Sequence, residues 1–222
     1  MRLILSILLF ASTLLGFQHP KVEHFEGVVE YRLLTKNCEG EFVPMQSVGK
    51  LKNYYRDTFY KVAYFSNKTF EESSTMEIIV NTADTSRYVV KHQERLAESL
   101  GMEGNAEDYV PHRVRLVHEN DTILGYSCKK YELLQLEYYT QQKTLSYVWV
   151  TEQLTVANLP LLAKIFSYRN SSLKDGSLGG ITLKFESTRP DGSIGLRLEA
   201  IRVEPKGLDQ SVFAVPTMYQ RQ

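Results

Sequence analysis

Side chains that change character at every second residue constrain this chain more than any other feature. Between His24 and Thr35, Phe25, Gly27, Val29, Tyr31 and Leu33 share one side, while Glu26, Glu30 and Arg32 share the other. Successive residues of a strand point to opposite faces, so this alternation is the pattern of a half-buried strand. Similar, less regular runs cover residues 49–56, 58–66, 75–81 and 87–92, then 114–119, 126–138, 144–150, 180–188 and 194–203. Tyr, Phe, Val, Ile and Thr dominate them, as a pleated surface favours.

Turn chemistry separates these runs. Glu119-Asn120-Asp121-Thr122 is expected to divide two strands, and Pro190-Asp191-Gly192-Ser193 to close the last hairpin, because Pro presets φ and Gly accepts a positive φ. Short turns between sequential strands make an antiparallel meander rather than βαβ units. Two stretches read as helix. Gln93–Leu100 sets Leu96 and Leu100 four apart and stops at Gly101. From about Glu152 to Tyr168, Leu154, Ala157, Leu161, Ile165 and Tyr168 share one side, with a kink expected at Pro160. Met102–His112, acidic and containing Gly, reads as a loop. The expected fold is mainly β with a few helices: a strongly curved antiparallel sheet of about ten strands, whose concave face is covered by a helical lid or plug.

The start of the chain bears on compartment. Arg2 precedes an apolar run, Leu3 to Leu15, relieved by Ser6, Ser12 and Thr13 and ended by Gly16 and Gln18-His19-Pro20. These are the parts of a secretory signal peptide over residues 1–18. An apolar core of roughly a dozen residues is short for a bilayer span, which needs about 20. The expectation is an exported protein, periplasmic or extracellular after cleavage, that is not integral to a membrane. Cleavage would leave a single domain over residues 19–222, roughly 204 residues and enough for one core. Loss of Arg2 would leave 25 basic against 26 acidic side chains. That balance, with no basic run, gives no footprint for nucleic acid.

The chemistry-bearing residues are sparse. Cys38 and Cys128 would make one disulfide in an oxidising compartment if their Cβ atoms converge, and the sequence leaves bond and free thiols equally open. His24, His92, His112 and His118 include no pair three or four apart, so no metal site or cofactor is expected. Gly176-Ser177-Leu178-Gly179 and Gly192-Ser193-Ile194-Gly195 lack the spacing of a nucleophile elbow. No catalytic residue can be nominated, and the expectation is a protein that is not an enzyme.

Four segments carry a family likeness: Phe25-Glu26-Gly27-Val28-Val29-Glu30-Tyr31, Ile123-Leu124-Gly125-Tyr126-Ser127-Cys128-Lys129-Lys130-Tyr131, Val148-Trp149-Val150-Thr151-Glu152-Gln153-Leu154, and Phe213-Ala214-Val215-Pro216. In them the chain resembles exported, uncharacterised proteins of Bacteroidetes type grouped with the outer-membrane lipoprotein carrier (LolA-like) superfamily. The resemblance implies a half-open β-barrel with a helical lid and a hydrophobic cavity, which in the true carriers receives the acyl chains of a lipoprotein. It transfers no cargo-binding residue to this chain.

Aromatic content then points to function. On a curled sheet Tyr31, Tyr55, Tyr64, Tyr147 and Trp149 would line the concave face, with Leu154, Leu161 and Phe166 facing it from the lid. The resulting expectation is a protein that binds a lipid, a lipoprotein acyl chain or another hydrophobic ligand. The alternative is an envelope interaction or structural protein, with a protein partner and a core filled by its own side chains.

Overall fold

The computed structural model describes residues 24–45, 47–66, 74–100, 109–137, 143–157, 178–189 and 192–221, and of 109–113 and 135–137 the backbone only. The expected signal peptide and the segment 158–168 lie outside them. In chain order the strands are β1 (Gly27–Lys36), β2 (Phe42–Pro44), β3 (Lys50–Arg56), β4 (Phe59–Phe65), β5 (Met76–Asn81), β6 (Ser86–Lys91) and β7 (Leu96–Ser99). Then follow β8 (Tyr109–Ile123), β9 (Tyr126–Glu137), β10 (Lys143–Thr151), β11 (Ile181–Thr188), β12 (Ile194–Pro205) and β13 (Gln220–Arg221). All thirteen belong to one sheet in the order β13-β7-β6-β5-β4-β3-β1-β12-β11-β10-β9-β8, with β2 also on β1. Neighbours are antiparallel except β13, which runs parallel to β7. Among the described residues the end strands β8 and β13 do not meet, so the sheet is open.

β1 organises it. Its first residues pair with β3 on one side and β12 on the other, Val29 lying opposite both Asn53 and Val203. Val28 and Val29 are both buried, so the sheet is covered on both faces here. On the front face Val29, Tyr31, Tyr55, Tyr60, Val62 and Val80 belong to one hydrophobic cluster. On the back face Val28, Ile79, Val90 and Ala97 pack under Leu208 and Phe213, which the chain supplies after β12. That last segment contains a single 3₁₀ turn, Gln210–Phe213, whose N-cap Asp209 accepts from the Ser211 amide at 2.8 Å. It is anchored where the Leu208 amide donates to Glu26 Oε1 at 2.7 Å and where His92 Nδ1 meets the Tyr219 hydroxyl at 2.9 Å.

Several expectations need correcting. Gln93–Leu100 is not helical: Leu96–Ser99 forms strand β7. Pairing with Tyr88–Lys91 buries Ala97 in the back-face core and sets Lys91 Nζ 2.7 Å from Glu98, and tertiary burial outweighs the helical propensity of a short segment. The turn expected at Glu119–Thr122 lies inside β8, whose register shifts between Val117 and Asn120. The chain reverses at Leu124-Gly125 instead, with φ of 52° and 85°, two positive values in the manner of a type I′ hairpin turn. Residues 109–112 of the expected loop belong to β8, and the rest of it lies outside the described residues. The expected lid begins as a turn, not a helix, over its described part 152–157. The last hairpin is as expected, closed by Arg189 N donating to Ser193 O at 2.7 Å. Cys38, on an exposed turn, and Cys128, buried in β9, are free thiols, one of the two alternatives the sequence leaves open. No helix among the described residues is long and apolar enough to cross a membrane.

Gly27 opens β1 at a φ of 153°, and a Cβ there would lie 2.1 Å from the Glu204 carbonyl oxygen across the β1–β12 pair. Gly27→Ala is therefore expected to destabilise the protein by about 1–3 kcal/mol. Gly125→Ala, in open space, carries backbone strain alone, about 1 kcal/mol. Urea unfolding midpoints test this, and equal losses would contradict the close approach of β1 to β12.

Candidate functional site

The front face gathers phenols in a small area. Tyr31 lies opposite Leu51 and Leu51 opposite Tyr64, while Tyr55 lies opposite Tyr60. Tyr31, Tyr55 and Tyr60 are 2%, 8% and 7% exposed, and Tyr64 packs half-buried against them. The rings of Tyr55 and Tyr60 are 5.0 Å apart, and Phe25 meets Tyr55 edge-on at 5.7 Å.

A phenol is buried at low cost only when its hydroxyl finds a partner. Tyr31 donates to the Thr182 carbonyl at 2.9 Å, and Asn53 Nδ2 donates to the Tyr55 hydroxyl at 3.3 Å. Asn53 Oδ1 is buried without a partner. Leaving a buried acceptor empty costs about 1–3 kcal/mol. Burial pushes the Tyr31 and Tyr60 phenols well above their usual 10.0, and raises Tyr55 as well. The cluster is thus neutral at ordinary pH, able to hydrogen-bond but with no phenolate to act as base or nucleophile.

The turn after β10 covers the edge of this cluster with Leu154 and Val156, both buried in it. It is fixed in place where the Phe25 amide donates to the Thr155 carbonyl at 2.6 Å and the Ser127 amide to Gln153 Oε1 at 2.8 Å. The apolar face also continues sideways, in a cross-strand row of Tyr131, Val148, Phe185, Leu198 and Leu33.

Of the residues expected to line a ligand, Tyr31, Tyr55, Tyr64 and Leu154 come together here. Trp149 is a buried member of the same hydrophobic cluster and Tyr147 packs against it, but their register differs. Trp149 lies opposite Lys184, Lys184 opposite Glu199, and Glu199 opposite Arg32, so both aromatics sit on the charged back face. Lys184 Nζ stands 4.2 Å from the Trp149 ring, and Lys130 Nζ 5.3 Å from it and 5.0 Å from Tyr147. Cations already cover that aromatic surface. Leu161 and Phe166 lie outside the described residues. Asn53 was absent from the expected set, although its place between Leu51 and Tyr55 in the alternation marks a polar residue on the apolar face.

Other chemistry is dispersed. Among the described residues no three His, Cys, Asp or Glu side chains converge on a metal position. His92 contacts Tyr219 and lies 3.6 Å from Glu77, which also takes a hydrogen bond from Ser74 at 2.8 Å. Burial raises the pKa of the Cys128 thiol, the opposite of an activated nucleophile.

A family model described as a domain of unknown function, DUF4412, matches residues 25–219. No curated protein matches the chain. Among solved structures it is similar to an uncharacterized conserved protein from Thermus thermophilus, at 6% identity and a TM-score of 0.49, covering 89% of this chain and 90% of that one. It is also similar to a candidate outer-membrane lipoprotein-sorting protein domain from Vibrio parahaemolyticus, at 9% identity and 0.34, covering 85% and 89%. A DUF1329 family protein from Desulfovibrio piger matches at 12% identity and 0.37, covering 87% and 91%. Likenesses this loose say nothing of what the chain binds.

The tyrosine cluster has a consequence for pH. Phenols whose pKa is higher folded than unfolded stabilise the fold fully below about pH 10, and that stability is lost as pH rises through the raised values. Urea unfolding followed from pH 9 to pH 11 should show this alkaline loss, and Tyr60→Phe should flatten it. An unchanged slope in Tyr60→Phe would mean that this hydroxyl titrates freely.

Proposed function

The chain belongs to that family of unknown function, and on this premise we propose that it is an exported, non-enzymatic protein holding a lipid or similar apolar ligand against its front face. The observation that carries the proposal is the unpaired Asn53 Oδ1 within an otherwise apolar, tyrosine-lined surface. Such an acceptor suits a ligand with an apolar body and one donor, a hydroxyl or an amide N–H. Burial of the apolar body would drive binding at about 25 cal/mol per Å² before ordering costs.

The proposal includes a concave front face. Tyr31 of β1 reaches a carbonyl of β11 past the intervening β12, a span of about 9.6 Å between flat-sheet axes. Bending of the sheet toward the front would bring that contact within reach of one side chain. The half-barrel of the lipoprotein carriers that the sequence resembles has this form, with acyl chains as its cargo. A second reading, an envelope interaction protein with a self-filled core, is favoured by the near-complete burial of Tyr31, Tyr55 and Tyr60 among their own neighbours.

Native mass spectrometry of the protein from its own cells, followed by organic extraction, separates the two. The expected result is a stoichiometric adduct released as lipid, on a chain beginning near residue 19. Asn53→Leu should weaken rebinding of that lipid about tenfold, the loss of one hydrogen bond. A bare mass that takes up neither phospholipid nor fatty acid would favour the self-filled core and overturn the proposal.

A further inference from the structure

The back face of the central strands carries a recess of about 60 Å³ between β3, β1 and β12. The register builds it as a grid of opposed residues: Tyr54, Val28 and Glu204 in one row, and Lys52, Glu30 and Arg202 in the next. Lys206 closes one end. Its volume admits about two waters at roughly 30 Å³ each, or one tetrahedral oxyanion.

Charge within the recess is layered. Glu30 is shared by Lys50 and by Lys52 at 3.6 Å, and Glu204 by Arg202 and by Lys206 at 2.9 Å. The Glu30 and Glu204 side chains are only 14% and 28% exposed, against 65% for Arg202 and 49% for Lys206. The carboxylates lie below Arg202 and Lys206, with Lys52, 30% exposed, level with Glu204; three cations and two carboxylates line the recess, and Lys50 pairs with Glu30 from outside it. Glu204 is held below the usual carboxylate range, first by its hydrogen bond with Lys206, so it stays ionised and keeps its cations oriented. A surface ion-pair ladder would have its charges balanced and level with solvent. This one presents ammonium and guanidinium groups outward around a concave, partly apolar base.

We propose that this recess is an oxyanion site that takes a phosphate or phosphate-ester group through Lys52, Arg202 and Lys206. Arg202 supplies a fork that matches two phosphate oxygens, and the lysines add point charges. Both carboxylates already serve two cations each, which offsets their repulsion of the anion. Tyr54 and Val28 supply the apolar part of the lining. The site lies on the face opposite the tyrosine cluster and does not rest on that reading.

Inorganic phosphate, titrated calorimetrically at low ionic strength, is the probe. Saturable binding is expected. The double variant K52Q/R202Q should weaken it at least about tenfold, the effect of losing one charge-assisted hydrogen bond. Glu30→Gln should tighten it by freeing Lys50 and Lys52 from that carboxylate. Phosphatidylcholine vesicles with and without phosphatidylglycerol identify the source of the group. Given saturable phosphate binding, added binding to the anionic but not the neutral vesicles, lost in K52Q/R202Q, assigns the group to a lipid headgroup, and no vesicle binding assigns it to a soluble phosphate. Absence of saturable phosphate binding, or binding indifferent to K52Q/R202Q, overturns the site. If the double variant does not fold, Arg202→Gln alone, at a largely exposed side chain, decides by the same criterion. A bare mass in the lipid experiment would leave this result untouched, and failure here would leave the lipid reading untouched.

Discussion

Val28 and Val29 are adjacent in sequence, point to opposite faces and are both buried, and the architecture answers to that constraint. A sheet with one wet face needs a single cover, whereas one that is apolar on both sides at its centre needs two. The chain supplies both from its own connections. Leu208 and Phe213, after the last long strand, close the back of β1 and β3 to β7. Leu154 and Val156, after β10, meet the front. The two covers are anchored near the start of β1, through Glu26 to Leu208 and through Phe25 to Thr155. The strand that creates the demand thus lies beside the contacts that meet it.

The two faces divide the chemistry between them. The front carries neutral donors and acceptors set into apolar surface, where burial suppresses ionisation. The back, beyond its covered half, carries opposed charges in cross-strand rows, among them Glu186, 5% exposed and paired with Arg197 at 2.8 Å. Buried charge of this kind is tolerated because two cations serve the carboxylate. Trp149 belongs to this charged side, and its aromatic character alone does not reveal that; only the register does.

Much of the fold was legible in the sequence because the sheet repeats a period of two, and that period survives noise over six or more residues. Nine of the long strands fall where the alternation sets them, within a few residues at each end. The short elements were not legible. Phe42–Pro44, Leu96–Ser99 and Gln220–Arg221 are too brief to show a period, and each is a strand only because a longer neighbour offers it an edge. The reversal at Leu124-Gly125 escaped notice because Asn120-Asp121 is the stronger turn signal and Leu is rare at positive φ. On the front face, the alternation already set Tyr31 and Tyr55 on one side, and strand pairing brings Tyr64 beside them. The split between faces depended on strand pairing, which composition does not encode, and it separated Tyr147 and Trp149 from them.

The central pairing of β1 with β12 joins the two ends of the sequence, as the contact of Glu26 with Leu208 across 182 positions makes plain. A chain emerging from a ribosome exposes β1 long before β12 exists, with one edge unpaired and both apolar faces bare. Non-local pairing of this kind is slow to nucleate and prone to intermolecular capture while it waits. The completed architecture therefore forms only once synthesis is essentially over, and until then β1, paired with β2 and β3 alone, keeps its other edge open for β12.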